Sequence, residues 1–139
     1  MRVAMSQAGQ MVDRLVEATN AHDVNAIAAC FAEDYANDAP AHPSRGFSGR
    51  EQVRHNWEQI LAFVPDLHAE VPRRAIDGET AWTEWVMTGT RRDGTPHHMC
   101  GVIVFGVQGG LAQWARFFLE PVEQDGGSID EAVSRQVAR

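Results

Sequence analysis

The stretch TAWTEWVMTGTRRDGTPHHMCGVIVFGVQGGLAQWARFFLE, residues 80–120, decides the fold class. Apolar runs rich in Trp, Val, Ile and Phe alternate there with Gly-containing turns, a pattern typical of antiparallel strands joined by short hairpins. Together with the segment just before it, the stretch predicts four strands at about 67–76, 80–90, 95–106 and 111–120, separated by Asp77-Gly78, Asp93-Gly94 and Gly109-Gly110. Because connections this short cannot carry parallel crossovers, we expect an antiparallel meander.

Three helices are predicted ahead of the meander. Apolar residues at helical spacing indicate a first helix over about residues 6 to 21, and Asp23 is a suitable N-cap for a short second helix. Ser48 and Glu51 have the spacing of a capping box, which predicts that a third helix begins there and ends before Pro65. A short strand between the second and third helices completes an α+β domain with its helices on one face of the sheet.

The domain organisation follows from where the apolar pattern stops. We expect a single domain over residues 1–124, followed by a polar Gly-Gly-Ser linker and a short peripheral helical tail over 125–139. A chain of 139 residues with 44% hydrophobic content can form one buried core without disulfide bonds or a structural metal.

Composition excludes several functional classes. The formal net charge of −7 opposes binding to nucleic acid, and no run approaches the length of a membrane span. Cys30 and Cys100 are too few to form a disulfide framework, so we expect reduced thiols and a cytoplasmic protein.

Charged residues in the meander are the strongest candidates for chemistry. Arg116 and Glu120 share one face of the last strand, since side chains alternate with period two. We expect Glu84, Arg116 and Glu120 to point into a conical space between sheet and helices, where they would satisfy one another. The alternatives are a structural ion-pair cluster and solvated charges near strand ends, because alternation alone does not decide which face is inward.

The loop after the short strand offers further candidates. Asp38 or His42 could supply a second proton relay at the opening of the cone. Aromatic residues are predicted to line the ligand pocket, namely Tyr35, Trp57, Trp82, Trp114 and Phe118.

Motifs for cofactor chemistry are lacking in the sequence. It contains no P-loop, no Gly-rich dinucleotide turn and no nucleophile elbow. The six histidines show no ligand spacing for a metal, and His97 and His98 are neighbours on a strand, so at most one of them faces inward. We therefore expect no cofactor and no metal.

Taken in order, five segments resemble the SnoaL-like group of the nuclear transport factor 2 (NTF2-like) superfamily. They are NAHDVNAIAACFAEDY, FSGREQVRHNW, VPDLHAEV, TEWVMTGTRRDGTP and GGLAQWARFFLEPV, within about residues 8 to 123. The resemblance implies a cone-shaped α+β barrel in which a curved antiparallel sheet wraps three N-terminal helices. It also implies an internal pocket, no cofactor in most enzymes and frequent homodimers through the outer sheet face.

The resemblance also bears on the candidate residues. The general base of ketosteroid isomerases aligns with Ala39, next to Asp38, and the catalytic pair of limonene epoxide hydrolases aligns with Trp85 and Met87, so neither mechanism transfers. The acidic residue of SnoaL-type cyclases looks most like Glu120.

These observations together predict a cofactor-independent pocket protein. We expect a proton-transfer enzyme that isomerises or cyclises a small apolar or aromatic carbonyl compound, with Glu120 moving the proton and Arg116, oriented by Glu84, stabilising the enolate oxygen. The alternatives are a non-catalytic small-molecule binding module and a dimeric scaffold.

Overall fold

The computed structural model describes residues 6–138, and its elements follow the predicted order. The helices are α1 (Gln7–Asn20), α2 (Val24–Ala28), α3 (Arg50–Phe63) and α4 (Ile129–Val137), with a 3-10 turn at Pro43–Arg45. The strands are β1 (Phe31–Asp38), β2 (Phe47–Ser48), β3 (His68–Asp77), β4 (Thr80–Thr90), β5 (Pro96–Gln108) and β6 (Leu111–Pro121). The predicted α+β fold is confirmed.

The strands form one sheet in the order β2-β1-β6-β5-β4-β3. Strands β3 to β6 pair antiparallel, as predicted for the meander, whereas β1 pairs parallel with β6. The six-stranded sheet is therefore mixed, and it stays open with β2 and β3 at its edges instead of closing into the barrel that the resemblance implied. Its register shifts between Glu70 and Arg73 of β3, where Pro72 lies.

The helix starts show which local predictions hold. Ser6 and Asp23 cap α1 and α2 by accepting hydrogen bonds from the backbone N–H groups of Gly9 and Ala26. The capping box predicted at Ser48 is wrong, because Gly49, with a φ of 100°, occupies the N-cap position and no side chain caps α3. Ser48 instead belongs to the two-residue strand β2, which the sequence pattern did not indicate.

Burial identifies the inner face of the sheet. On β4, the buried residues are Ala81, Thr83, Trp85 and Met87, which alternate with exposed or half-buried neighbours. Their partners across β5 and β6 continue this inner face through Phe105, Ile103, Ala115 and Phe117. The helices α1, α2 and α3 pack over this face, and the core lies between the two layers.

Helix α4 stands apart from this core. None of its residues is buried, and its apolar positions Ile129, Val133 and Val137 are exposed. It is nevertheless a capped helix, since the side chain of Ser128 accepts a hydrogen bond from the backbone of Glu131.

Candidate active site

A cavity of about 380 Å³ opens between the inner face of the sheet and helices α1 and α3. Apolar side chains make most of its wall, including Leu15, Phe31, Trp85, Ile103, Phe105 and Phe117. Its polar side chains are Thr19, Tyr35, Asn37, His42, Arg45, Asn56, Trp57, His97 and Glu120. An apolar hollow of this size with a few polar groups is the usual form of a small-molecule site.

A His–Glu pair lies in the wall of the cavity. The Nε2 atom of His42 is 2.7 Å from Oε1 of Glu120, and the two side chains remain 38% and 44% exposed. Since the imidazole donates its Nε2 proton to the carboxylate, Nδ1 is the nitrogen that can accept a proton. Among the described residues, no side chain or backbone group bonds to that Nδ1 atom.

Backbone hydrogen bonds hold the loop that carries His42. The His42 N–H donates to the carbonyl of Ala39 at 2.7 Å, and the Arg45 N–H donates to the carbonyl of His42 at 2.9 Å. Pro40 and Pro43 restrict the same loop further, because each proline fixes its own φ. The imidazole therefore sits on a short, braced segment that faces the end of β6.

Tyr35 and Asn37 form a second polar pair, on β1. The Tyr35 hydroxyl donates to Oδ1 of Asn37 at 2.6 Å, and both residues are buried. Burial, and secondarily the charge of Asp38, raises the pKa of the Tyr35 phenol far above its ordinary value. Tyr35 therefore stays a neutral donor, and its ring is fixed by edge contacts with Phe31 and Phe47.

His97 is the histidine of β5 that faces the cavity, which resolves the choice between it and His98. Its Nδ1 accepts a long hydrogen bond of 3.4 Å from Nε of Arg91, and its ring meets Phe63 edge-on. Burial, and then the Arg91 charge, lowers the pKa of the His97 imidazole. Because Nδ1 is the acceptor, the neutral ring presents an Nε2–H donor.

Three of the five expected catalytic residues, Arg116, Glu84 and Asp38, lie outside the cavity. Arg116 is exposed on the outer face, where it borders a separate hollow of about 220 Å³ together with Asp38, and Glu84 lies 3.7 Å from Arg73 on the neighbouring strand. The expectation that Glu84, Arg116 and Glu120 meet inside the cone is wrong. The cause is alternation: the inner face of β6 is taken by Ala115, Phe117 and Leu119, so Arg116 points outward.

Glu120 borders the cavity despite sharing a face with Arg116. It lies one residue before the end of β6, at the rim of the sheet, where its carboxylate reaches His42. Of the five expected catalytic residues, the structure thus brings together only Glu120 and His42. Asp38 lies on the outer side, next to Arg116 in the β1–β6 register.

Of the five expected ligand-binding residues, two line the cavity and three lie on the outer face of the sheet. Tyr35 and Trp57 line the cavity, as expected. Trp82, Trp114 and Phe118 do not, because they lie on the outer face and are exposed. Asn37 was missed, although a signal was present: it follows Tyr35 by two positions, and such residues share a strand face.

Comparison with known proteins identifies the family. Residues 12–117 match the SnoaL-like domain. The chain belongs to the SnoaL-like family. Similar solved structures include a candidate SnoaL-like polyketide cyclase from Jannaschia sp. CCS1, with a TM-score of 0.71 and 17% identity over 86% of this chain and 90% of that one.

Two further solved structures have a similar fold. A candidate ketosteroid isomerase from Kribbella flavida DSM 17836 has a TM-score of 0.69 and 19% identity, with 90% and 86% of the two chains covered. A protein with a ketosteroid isomerase-like fold from Catenulispora acidiphila DSM 44928, in complex with trimethylamine, has a TM-score of 0.68 and 19% identity, with 77% and 82% covered. Among curated proteins, none matches this SnoaL-like chain.

Two features are absent from residues 6–138 of the SnoaL-like chain. No group of three His, Cys, Asp or Glu side chains in that range is arranged to hold a metal ion. No helix in that range is both long and apolar enough to cross a bilayer.

Proposed function

We propose that this SnoaL-like domain binds a small, mostly apolar carbonyl compound and, without a cofactor, moves a proton at the carbon next to the carbonyl. The observation that carries the proposal is the His42–Glu120 pair, 2.7 Å apart in the wall of an apolar cavity. A base supported by a carboxylate is a suitable group for taking a proton from carbon at neutral pH.

The reaction begins when Nδ1 of His42 takes the α-proton of the substrate. The C–H electron pair then forms the enolate double bond, and the carbonyl pair moves onto oxygen. Glu120 stabilises the imidazolium that results, because its carboxylate accepts the hydrogen bond from Nε2.

The enolate has two ordinary outcomes. In a β,γ-unsaturated substrate the enolate is conjugated with the double bond, so return of the proton to the γ carbon moves that double bond and completes an isomerisation. Attack of the enolate carbon on a second carbonyl of the same molecule closes a ring, and the new alkoxide takes the proton from His42. Both outcomes use the same pair of residues and balance without an oxidant or a reductant.

His97 is suited to stabilise the enolate oxygen. His97 precedes Met99 by two residues on β5, and Met99 pairs with Pro121 of β6. His97 therefore lies at the same end of the sheet as Glu120. A preorganised donor aimed at a developing oxyanion typically contributes about 2.7–4 kcal/mol to lowering a barrier. In this proposal His97 takes the part that the sequence had suggested for Arg116.

Proton exchange with solvent tests the proposal without knowledge of the natural substrate. The ketone 2-tetralone has acidic α-protons and fits an apolar cavity, and its deuterium uptake in D2O is followed by NMR. We expect the wild-type protein to speed exchange above the buffer rate. Glu120→Gln and His42→Ala should each lower the enzymatic rate by about a hundredfold or more, within the usual range for a general base.

The chain contains a matched control for this test. His68 and Glu70 form another His–Glu pair, at 3.2 Å, on the exposed surface of β3. Glu70→Gln and His68→Ala should leave exchange at the wild-type rate. Wild-type exchange no faster than buffer, with 2-tetralone still bound, would support the alternative of a non-catalytic binding module.

We propose in addition that the SnoaL-like domain forms a homodimer through the outer sheet face. Trp82, Trp114 and Phe118 are exposed together on β4 and β6 and flank Val104, which is itself buried on that face. Large aromatic residues at the centre of a patch are typical of interfaces.

The free thiols of Cys30 and Cys100 support a reducing, cytoplasmic compartment.

A further inference from the structure

Asn37 is one of the buried polar residues of the cavity wall, together with Thr19 and Tyr35. Its residue is only 8% exposed, yet it lines the cavity. The Oδ1 atom accepts the Tyr35 hydroxyl proton, and no group of the described chain accepts from Nδ2. No buried polar side-chain atom of the described residues lacks a partner, so the Nδ2 group of Asn37 keeps surface open to the cavity. An acceptor that enters the cavity can therefore form a hydrogen bond with it.

The Tyr35 hydroxyl fixes which way the amide points. A phenol that donates to the carboxamide must meet the oxygen, which leaves the NH2 group on the other side. Tyr35 is held at 1% exposure between Phe31 and Phe47, so the direction of its hydroxyl is also fixed. The result is a preorganised neutral donor in an apolar wall.

The donor lies well away from the His42–Glu120 pair. In the parallel register of β1 and β6, Asn37 is opposite Ala115. Glu120 is five residues further along β6, which corresponds to roughly 16 Å of strand at ~3.3 Å per residue. One carbonyl group bonded to Asn37 therefore cannot also reach the Glu120 carboxylate.

The charged side chains of the cavity wall are also concentrated near the His42–Glu120 pair. Its ionised or readily ionised side chains are His42, Arg45, His97 and Glu120, which come from the 39–46 loop and from the strand ends. The neighbours that the structure gives for Asn37 are neutral, namely Tyr35, which donates to it, and Phe47, its partner in the β1–β2 register. This half of the cavity therefore accepts a neutral, apolar group that ends in an acceptor oxygen.

We propose that the Asn37 amide, oriented by Tyr35, binds a second oxygen of the substrate, at the end remote from the carbon that exchanges its proton. The substrate class is thus an elongated neutral molecule with two oxygen functions, of which the inner one is a carbonyl or ether acceptor. This inference rests on the proposed function of the cavity. Asn37 binds and Tyr35 is a positioning residue; neither transfers a proton.

Binding of a matched pair of ligands tests the inference independently of turnover. The probes are 2-acetylnaphthalene and 2-ethylnaphthalene, which have nearly the same shape and differ in a carbonyl oxygen. Their dissociation constants are measured by NMR titration of the 15N-labelled protein. Asn37→Leu should weaken the ketone about fivefold relative to the hydrocarbon, the usual worth of one neutral hydrogen bond.

Two more variants separate the donor from the shape of the wall. Asn37→Asp keeps the size and the Tyr35 hydrogen bond but removes both N–H donors, so it should lose at least the same preference. Tyr35→Phe frees the amide to turn and should lose part of the preference for the ketone over the hydrocarbon. Asn56→Leu, which removes another amide from the lining, is the control and should leave the ratio unchanged.

Each outcome decides the question. If both probes bind and the ratio is the same in wild type and Asn37→Leu, the inference is overturned while the proton-transfer proposal stands. Equal loss in Asn56→Leu and Asn37→Leu also overturns it. Failure of both probes to bind the wild-type protein would overturn the inference and the proposed cavity ligand together.

Discussion

The two faces of strand β4 carry the same residue type in opposite surroundings. Trp85 is 1% exposed on the inner face, where it meets Phe105 edge-on and donates its indole N–H to Thr83. Trp82, three residues earlier, is 52% exposed on the outer face. A tryptophan in this sheet therefore indicates a core position only when the face of the strand on which it lies is known.

The charged residues follow the same division. Glu84 and Arg116 lie outside, where water solvates them, and the inner face of the sheet accepts ionisable groups only toward the strand ends. Desolvation explains the difference, because a charge that leaves water without a full set of partners costs several kcal/mol. Glu120 stands at the rim, half in water and in contact with His42.

Substitution of the two tryptophans should produce the largest effect. Trp85→Ala removes a fully buried side chain and leaves Thr83 without its donor, so we expect the free energy of unfolding to fall by about 3–5 kcal/mol. Trp82→Ala in the monomer should cost under about 1 kcal/mol, since half of that side chain is already in water. Urea denaturation at low protein concentration measures both; similar losses would mean that the two faces are not distinct.

The outer aromatic residues should matter more for association than for folding. Phe118→Asp places a charge in the proposed interface, and we expect the dimer dissociation constant to rise at least tenfold, about 1.4 kcal/mol. Analytical ultracentrifugation gives this constant directly. Gln113→Asp, near the turn before β6, where the Gln113 amide donates to the carbonyl of Gln108, serves as a control of equal charge. A monomeric wild-type protein at every accessible concentration would contradict the proposed dimer.

The smallest expected effect concerns pH. The pKa of His97 is lower in the folded protein than in the unfolded chain, so the unfolded state binds more protons as the pH falls through about 6.5. Folding stability should decrease in that window, by under about 0.5 kcal/mol after solvent screening. His97→Gln should flatten this part of the stability profile, measured by thermal unfolding between pH 7.5 and 5. An unchanged slope would show that the imidazole is more exposed than its contacts indicate.

The elements of the fold were predictable from sequence because they depend on local periodicity. The helical spacing before Asn20 and the Gly-containing turns of the meander each specify an element without reference to the rest of the chain. Strand β2 was not predictable, since two residues carry no period and exist as a strand only through pairing with Ala36 and Asn37.

The site was less predictable because it depends on which face is inward and on contacts distant in sequence. Both faces of β4 hold a tryptophan, so alternation was consistent with either choice. His42 and Glu120 were each singled out from sequence, but their contact spans 78 positions and required the tertiary fold. Asn37 was not among the expected ligand-binding residues because its role depends on its burial, and no residue type indicates burial by itself.

The edges of the open sheet limit how copies of this chain can polymerise. At one edge β2 offers only two residues, and the carbonyls of Phe31 and Tyr35 on the rest of β1 are taken by Arg50 and Gly49. At the other edge Pro72 interrupts β3 where its register with β4 shifts. Since proline lacks the N–H that a backbone ladder requires, an incoming strand finds no continuous row of donors and acceptors. Runaway addition of strands into fibrils is thereby discouraged at both ends, which leaves finite, closed associations as the available form of assembly.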